Sequence, residues 1–186
     1  AKERGAYPSF RGSKWDRGIL PVDTIALLEQ ERGTQIPVSR TGLLDWSVVR
    51  ESIKEHGMRN SNCMAIAPTA TIANISGAIP AIEPIYKNIY VKSNMNGEFI
   101  IINPYLVTDL KALGLWDFEM IGQLKYHDGS VKDIPQVPAH LKDKYKEVFE
   151  IDPSWLIKSA AHRGKWVDMS QSLNIYFAGT SGRELA

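Results

Sequence analysis

One short stretch, residues 63–77, combines residue types and a spacing that could bind a phosphate. An apolar run of five residues ends at Pro68, and two hydroxyl residues, Thr69 and Thr71, follow at once. This order predicts a buried strand, a sharp stop and then the first turn of a helix. The first N–H groups of a helix have no partner within it and carry a partial positive charge, so neighbouring hydroxyls complete a cradle for an anion.

The same pattern has a plainer explanation. The glycines that the Walker motif and the dinucleotide-binding motif require are missing here. Threonines at the start of a helix often do no more than cap it. By pattern alone, a capped strand–turn–helix without a ligand is the more frequent case, and both interpretations stay open at this point.

Several blocks of the sequence resemble the large catalytic subunit of class I ribonucleotide reductases. The longest block, residues 59–77, includes Pro-Thr-Ala-Thr in the form typical of class I enzymes. The other blocks cover nearly the whole chain, at 10–13, 18–21, 82–84, 88–93, 103–107, 109–116 and 171–176. The resemblance implies a loop that holds the substrate phosphates, largely through backbone N–H groups, formed by Pro68, Thr69, Ala70, Thr71 and Ile72.

The resemblance also implies the fold. Members of the family form a ten-stranded α/β barrel, of which this chain would supply one side. We therefore expect an α/β fold that is a partial segment of such a barrel, helix-rich with a few strands. Residues 1–186 would be a single fragment of the barrel domain, with an irregular lead-in over 1–21 and an α/β body over 22–186.

The activity implied for the parent protein is the reduction of ribonucleoside diphosphates to deoxyribonucleoside diphosphates. Its partners would be the rest of the large subunit, a small subunit whose metal site generates a radical, and thioredoxin or glutaredoxin as external dithiol. No cofactor is expected in this chain itself. Two alternatives remain: a stand-alone phosphate-ligand-binding α/β domain without redox activity, and a structural fragment that binds nothing alone.

The cysteine count limits what the chain can do by itself. Cys63 is the only cysteine, so it cannot form an internal disulfide or make a metal site alone. The resemblance implies a radical cysteine and a separate redox pair, so the isolated chain should be inactive, with no catalytic residue of its own. We expect Cys63 to be a small buried hydrophobe, and the protein to work in a reducing compartment, the cytoplasm.

Composition excludes other classes of function. The chain has 22 basic and 21 acidic residues, so no long-range field favours binding to nucleic acid or to a membrane surface. No apolar run approaches the length of a membrane span, and the first residues lack the apolar region of a signal peptide. The chain begins with Ala1 rather than Met, which favours an excised segment of a longer protein.

Periodicity and turn residues predict the elements around the candidate loop. Helices are expected at 24–32, 45–56, 105–113, 116–124, 139–149 and 153–169. Strands are expected at 63–67, 86–91, 98–102 and 173–178, with a turn over 92–97.

Other residues receive structural predictions. Glu83 precedes a proline and is expected in an exposed loop, without a catalytic role. The four histidines show no metal-ligand spacing. The tyrosines Tyr86, Tyr90 and Tyr176 are expected in core or edge positions. Trp155 and Trp166, at apolar spacing on one predicted helix, are expected to be packing anchors.

Overall fold

The computed structural model describes residues 1–95, 97–179 and 181–185. Within it the chain forms two compact units, each built from two stretches of sequence. Unit 1 comprises Ala1–Ala70 and Leu156–Leu173, and unit 2 comprises Thr71–Trp155 and the residues from Asn174 onward. The described elements of secondary structure are eight α-helices, two short 3-10 turns and two strands.

Unit 1 begins with irregular chain and then carries two helices. Residues 1–20 contain only turns and bends. A 3-10 turn at Pro21–Asp23 leads into α1, Thr24–Arg32, which ends at a left-handed Gly33 (φ 65°). After irregular chain, α2 covers Ser47–His56. Both helices lie within two residues of their predicted bounds, because proline, aspartate and glycine mark their ends.

Polar contacts fix the helices of unit 1 to each other. The guanidinium of Arg50 on α2 donates to the Asp23 carboxylate at 2.7 Å, and this holds the pKa of Asp23 below its usual range. The buried ammonium of Lys165 donates to the backbone oxygens of Ser39 (2.5 Å) and Thr41 (3.0 Å). The irregular stretch between α1 and α2 is therefore held by the Lys165 ammonium, and also by the Glu29 carboxylate, which accepts from the Ile36 N–H (3.0 Å) and from the Arg40 guanidinium.

Unit 2 contains a β-hairpin and most of the helices. Strand β1, Ile89–Asn94, pairs antiparallel with β2, Gly97–Ile102, and these two strands form a two-stranded sheet. Helices α4, Pro104–Ala112, and α5, Phe118–Tyr126, follow. Strand β2 and helix α4 lie within one residue of their predicted bounds. Strand β1 lies three residues later than predicted and takes in part of the predicted turn. Helix α5 begins and ends two residues later than predicted.

The remaining helices are α3, α6, α7 and α8. They span Ala70–Ser76, Ala139–Lys144, Pro153–Gly164 and Gly182–Leu185, and a 3-10 turn occupies Val148–Glu150. The core of unit 2 is formed by side chains from β1, α4, α5, α6 and the loop between α5 and α6, namely Ile89, Leu106, Leu110, Met120, Leu124, Val131, Ile134, Val137, Leu141 and Tyr145.

Two predicted helices end early. The prediction for 139–149 fails after Lys144 because Glu147 adopts extended backbone (φ −80°, ψ 162°) and directs its carboxylate to the backbone N–H of Asn88 at 2.6 Å. The prediction for 153–169 fails after Gly164, where the Trp166 N–H bonds to the Arg163 oxygen and the chain turns. A contact distant in sequence therefore ends the first helix early, and a glycine ends the second, although the amphipathic pattern continues beyond each end.

Two predicted strands are wrong. Residues 63–67 form no strand, and only Ile66 makes an isolated parallel bridge, to Gln171. Residues 173–178 are irregular. A strand needs neighbours to pair with, and each of these segments has little pairing within the described residues.

Several burial predictions are also corrected. Cys63 is exposed rather than buried. Trp155 is 64% exposed, and Trp166, which lies beyond the end of α7, is 40% exposed and stacks on Trp46. Neither tryptophan is a buried packing anchor.

Candidate functional site

The turn and helix start predicted after Pro68 are present, although the strand predicted before them is not. Thr69 has a left-handed backbone (φ 50°), and α3 begins at the next residue, Ala70. The positive φ of a threonine is uncommon and turns the chain sharply from the extended segment into the helix. All five predicted residues, 68–72, are exposed, and Ile72 is 68% exposed.

The loop is positioned by a carboxylate distant in sequence. Asp168 accepts hydrogen bonds from the backbone N–H groups of Cys63 and Met64, each at 2.7 Å and each with a different oxygen. A half-buried carboxylate that binds two adjacent amides fixes both the position and the direction of the chain that leads into the loop. Sequence reasoning missed Asp168, because its partners lie more than a hundred residues earlier.

Beyond Asp168 the two segments run side by side. The Met169 N–H bonds to the Met64 oxygen (3.1 Å), and the Ser172 N–H bonds to the Ile66 oxygen (2.8 Å). The side-chain amide of Gln171, which lies within this second segment, donates to the backbone oxygen of Ala160 at 2.9 Å. The extended segment therefore enters the loop from a fixed parallel pairing, although it is too short to count as a strand.

Helix α3 is short and exposed on most of its surface. It spans seven residues, of which only Ala73 is buried, at 3% exposure. Gly77 closes it with a left-handed backbone (φ 68°), and the Ala78 N–H bonds back to the Ala73 oxygen. The arrangement leaves the first turn of α3 and its N–H groups on an open surface.

Cys63 is close to this loop but is a poor nucleophile. The residue is exposed, yet the protein atoms around its thiol displace some water, and this desolvation, followed by the nearby Asp168 carboxylate, raises the pKa of the thiol. The thiolate is the reactive form of cysteine, so a raised pKa keeps Cys63 protonated and unreactive at neutral pH. Its exposure alone therefore gives it no redox role.

Glu83 makes a second polar cluster, in unit 2. Its carboxylate accepts from the backbone N–H (3.0 Å) and side-chain amide (2.8 Å) of Asn174, and from the Tyr176 hydroxyl (2.9 Å). Burial, and then this hydrogen bond to Glu83, raise the pKa of Tyr176 to about 12. Glu83 lies in irregular chain as predicted, but the predicted exposure is wrong, since Glu83 is half-buried and fixes the segment 174–176.

Aromatic rings pack against the ring of Tyr176. Tyr86, Phe149 and Tyr176 contact one another with centroid distances of 5.6–6.3 Å, and Tyr86 also contacts Tyr90 at 5.9 Å. These separations are typical of edge-to-face aromatic packing. The prediction that these tyrosines pack in core or edge positions is confirmed for the cluster, although Tyr86 is 46% exposed.

Two classes of site are absent from the described part of the chain. No group of three His, Cys, Asp or Glu side chains could hold a metal ion there. Among the same residues, no helix combines the length and the apolar character that crossing a membrane requires.

Comparison with known proteins gives the family. The family model described as ribonucleotide reductase, barrel domain, matches residues 1–186. The chain belongs to the ribonucleotide reductase barrel-domain family. The resemblance drawn from the sequence blocks is thereby confirmed, and the α/β barrel family is the correct fold family for this chain.

Relatives of this ribonucleotide reductase segment are large or alpha subunits. It is 54% identical over 187 residues to the ribonucleoside-diphosphate reductase subunit alpha of Chlamydia pneumoniae, covering 100% of this chain and 18% of that protein. It is 41% identical to the ribonucleoside-diphosphate reductase large subunit of Danio rerio, over 96% of this chain and 21% of that protein. The chain thus spans about a fifth of the length of these relatives.

A solved structure shares the fold. The match to the Actinobacillus ureae class Id ribonucleotide reductase alpha subunit has a TM-score of 0.61 and 27% sequence identity. It covers 92% of this chain and 32% of the alpha-subunit chain. The hairpin and helices described above therefore belong to a ribonucleotide reductase alpha-subunit architecture.

Proposed function

We propose that this chain is part of the catalytic subunit of a ribonucleoside-diphosphate reductase and carries the loop that binds the substrate diphosphate. The two relatives described above bear that enzyme's name and match 96–100% of this chain. The observation that carries the phosphate assignment is the turn at Thr69 into an exposed helix start, held by Asp168. The 186 residues would form one side of a single ten-stranded barrel.

The loop Pro68–Ile72 offers the donors that a diphosphate needs. The first N–H groups of α3 have no acceptor within the helix, and the hydroxyls of Thr69 and Thr71 can add further hydrogen bonds. Because α3 has only seven residues, its dipole contributes little, and directed hydrogen bonds supply the recognition. The remaining walls of the pocket would come from the rest of the parent subunit.

The redox chemistry would also come from outside this chain. Reduction of a ribonucleotide consumes two electrons, and Cys63, with its raised pKa, is the sole thiol. The parent would supply the radical cysteine and a cysteine pair, a small metal-containing subunit would generate the radical, and thioredoxin or glutaredoxin would re-reduce the pair. This chain's share is to hold the diphosphate and orient the ribose.

The first test is a substitution in the complete subunit. Thr71→Asp places a carboxylate beside the bound diphosphate, and we expect the Kd of the substrate to rise about a hundredfold, corresponding to about 3 kcal/mol of repulsion. Asparagine has the shape of aspartate without its charge, so Thr71→Asn is the matched control and should retain most of the affinity. Both variants should keep the thermal midpoint, since the position is exposed.

Two results would contradict the assignment. If Thr71→Asp binds substrate as well as Thr71→Asn, residue 71 does not contact the phosphates. A lowered thermal midpoint for both variants would mean that the threonine acts in packing.

The second test separates this proposal from a stand-alone phosphate-binding domain. The isolated chain, titrated with pyrophosphate in a calorimeter, should bind only at about millimolar concentration or more weakly, because most of the pocket is missing. Tight binding by the isolated chain would favour the stand-alone domain. Steady formation of deoxynucleotide by the isolated chain, given a dithiol and a radical-generating subunit, would refute the assigned division of labour.

A further inference from the structure

The two ends of the segment 85–150 meet within unit 2. The Val148 N–H bonds to the Ile85 oxygen at 2.9 Å. All ten buried side chains of the unit 2 core lie between these residues in sequence, at positions 89–145. The segment therefore closes around a core of its own, and we call the place where it closes the neck, residues 85–88 and 145–148.

Asn88 is the polar centre of the neck. It is 0% exposed, and its side-chain nitrogen donates to the backbone oxygens of Tyr145 (2.9 Å) and Gly129 (3.2 Å). Its side-chain oxygen accepts from the Asn103 amide at 3.0 Å, and its backbone oxygen accepts from the Asn103 N–H at 2.8 Å. Because a buried amide without partners is costly, these bonds hold the neck in one geometry.

Glu147 adds to this network a group that can gain or lose a proton. Its carboxylate is buried, accepts from the Asn88 N–H at 2.6 Å and lies against Gly129, where a Cβ would collide with it. Lys87 precedes Asn88 but donates to Asp128 instead. An ionised Glu147 in the closed neck is therefore buried beside hydrogen-bond donors, which compensate a buried charge less well than a bound cation does.

Three charged groups face Glu147 from the elements around it. Lys87, before β1, favours the ionised form, whereas Glu150, in the 3-10 turn, and Asp128, in the loop after α5, oppose it. Burial is the largest effect, and the pKa of Glu147 rises to about 7. In the closed neck the carboxyl is therefore protonated at pH 5 and ionised at pH 8.

We propose that the contact between Glu147 and Asn88 is a proton-dependent latch on the neck. When Glu147 is protonated, the carboxyl stays buried and the neck is closed. When it is ionised, residues 146–148 move away from residues 85–88 in a minor population of molecules, and the carboxylate becomes hydrated.

The opening can be local because the latch and the core use different groups. The latch consists of backbone groups and the side chains of Asn88, Asn103 and Glu147, not the apolar side chains of the core. Opening exposes Val148, which is 2% exposed in the closed neck, and this keeps the open form a minor one.

The two pKa values of Glu147 set the size of the effect. The carboxyl has a pKa of about 7 in the closed neck, and 4.5 is its ordinary value when hydrated. Between these values the open form binds fewer protons, so a higher pH favours opening. The equilibrium constant for opening should rise about 70-fold from pH 5 to pH 8. The inference does not depend on the proposed phosphate site.

Hydrogen exchange in the 186-residue chain tests the latch. After correction for the intrinsic pH dependence of exchange, protection of the Asn88 and Val148 N–H groups should fall about 70-fold from pH 5 to pH 8. Glu147→Gln cannot ionise and should change less than about threefold. Glu150→Gln is the matched control, because it removes a neighbouring carboxylate and keeps Glu147, and it should retain most of the pH dependence.

Urea separates opening of the neck from global unfolding, and this comparison needs wild type alone. At pH 8 the Asn88 and Val148 N–H groups should exchange faster than those of Leu110 and Leu124 in the core helices, and should respond less to about 1 M urea. Equal protection and equal urea dependence of all four would overturn the proposal, because the neck would then open only on global unfolding. A 70-fold change that persists in Glu147→Gln, or its absence from wild type, would also overturn it.

Discussion

Replacement of Glu147 by glutamine should make the protein more stable at pH 8 and change little at pH 5. Glu147 is only 5% exposed, and burial is the main cause that raises its pKa from 4.5 to about 7. The neighbouring carboxylates of Glu150 and Asp128 raise it further, whereas the Asn88 N–H and the Lys87 ammonium oppose the shift. At pH 8 the folded protein therefore contains a buried carboxylate that is poorly compensated.

The magnitude follows from the difference between the folded and unfolded pKa values. One pKa unit corresponds to about 1.4 kcal/mol, so a rise from 4.5 to about 7 corresponds to about 3 kcal/mol. Between these values the unfolded state releases the proton while the folded state keeps it, so the unfolded state binds fewer protons and stability falls as the pH rises. The contribution of Glu147 is complete below pH 4.5 and lost above about pH 7.

Urea denaturation at pH 5, 6, 7 and 8 would measure the effect. Glutamine keeps an oxygen that can accept from the Asn88 N–H, now at 2.6 Å. The Glu147→Gln variant should therefore lack the fall in the free energy of unfolding of about 2.5 kcal/mol that wild type shows from pH 5 to pH 8. Glu98→Gln, at an exposed site, is the control and should follow wild type. Parallel pH curves for wild type and Glu147→Gln would refute the reasoning.

Three further substitutions test other contacts. Gly129→Ala should lower the free energy of unfolding by about 2 kcal/mol, because φ is 100° and the new Cβ would meet the Glu147 carboxylate. Gly122→Ala, in open space on α5, is the control and should raise the free energy of unfolding by up to about 1 kcal/mol. Urea denaturation measures both. Asp168→Ala should speed hydrogen exchange of the two amides that it binds and cost about 2 kcal/mol, and an unchanged exchange rate would argue against the tether. Tyr176→Phe should leave the ultraviolet titration of the tyrosines below pH 11 unchanged, since the pKa of Tyr176 is about 12.

Local sequence signals were sufficient where an element is fixed by its own residues. Helix α1 and strand β2 fall close to their predicted bounds because a proline, glycines and a β-branched run mark them. The sharp turn into α3 was predicted as well, from Pro68 and the threonines, although the left-handed backbone of Thr69 was not.

Sequence reasoning failed where the partner of a residue is distant. The apolar run 63–67 was predicted to be a buried strand, but burial depends on what covers a segment, and the described residues provide only the pairing with 169–172. Glu83 accepts a hydrogen bond from a residue 91 positions away in sequence, and Glu147 from one 59 positions away. No local pattern marks such a carboxylate, since an isolated glutamate is usually solvated.

The geometry separates two requirements of the candidate phosphate site. Its placement is provided by this chain, because Asp168 and the parallel pairing at Ile66 fix the backbone that enters the loop. Its enclosure is not, because every residue from 68 to 72 is exposed and an exposed hydrogen bond to a phosphate competes with water. Under the proposed assignment, placement without enclosure would give an oriented but weak anion site, and the affinity for a diphosphate would come from walls that the parent subunit adds. Substitution of Asp168 in the parent should therefore impair substrate orientation, and hence kcat, more than Thr71→Asn does.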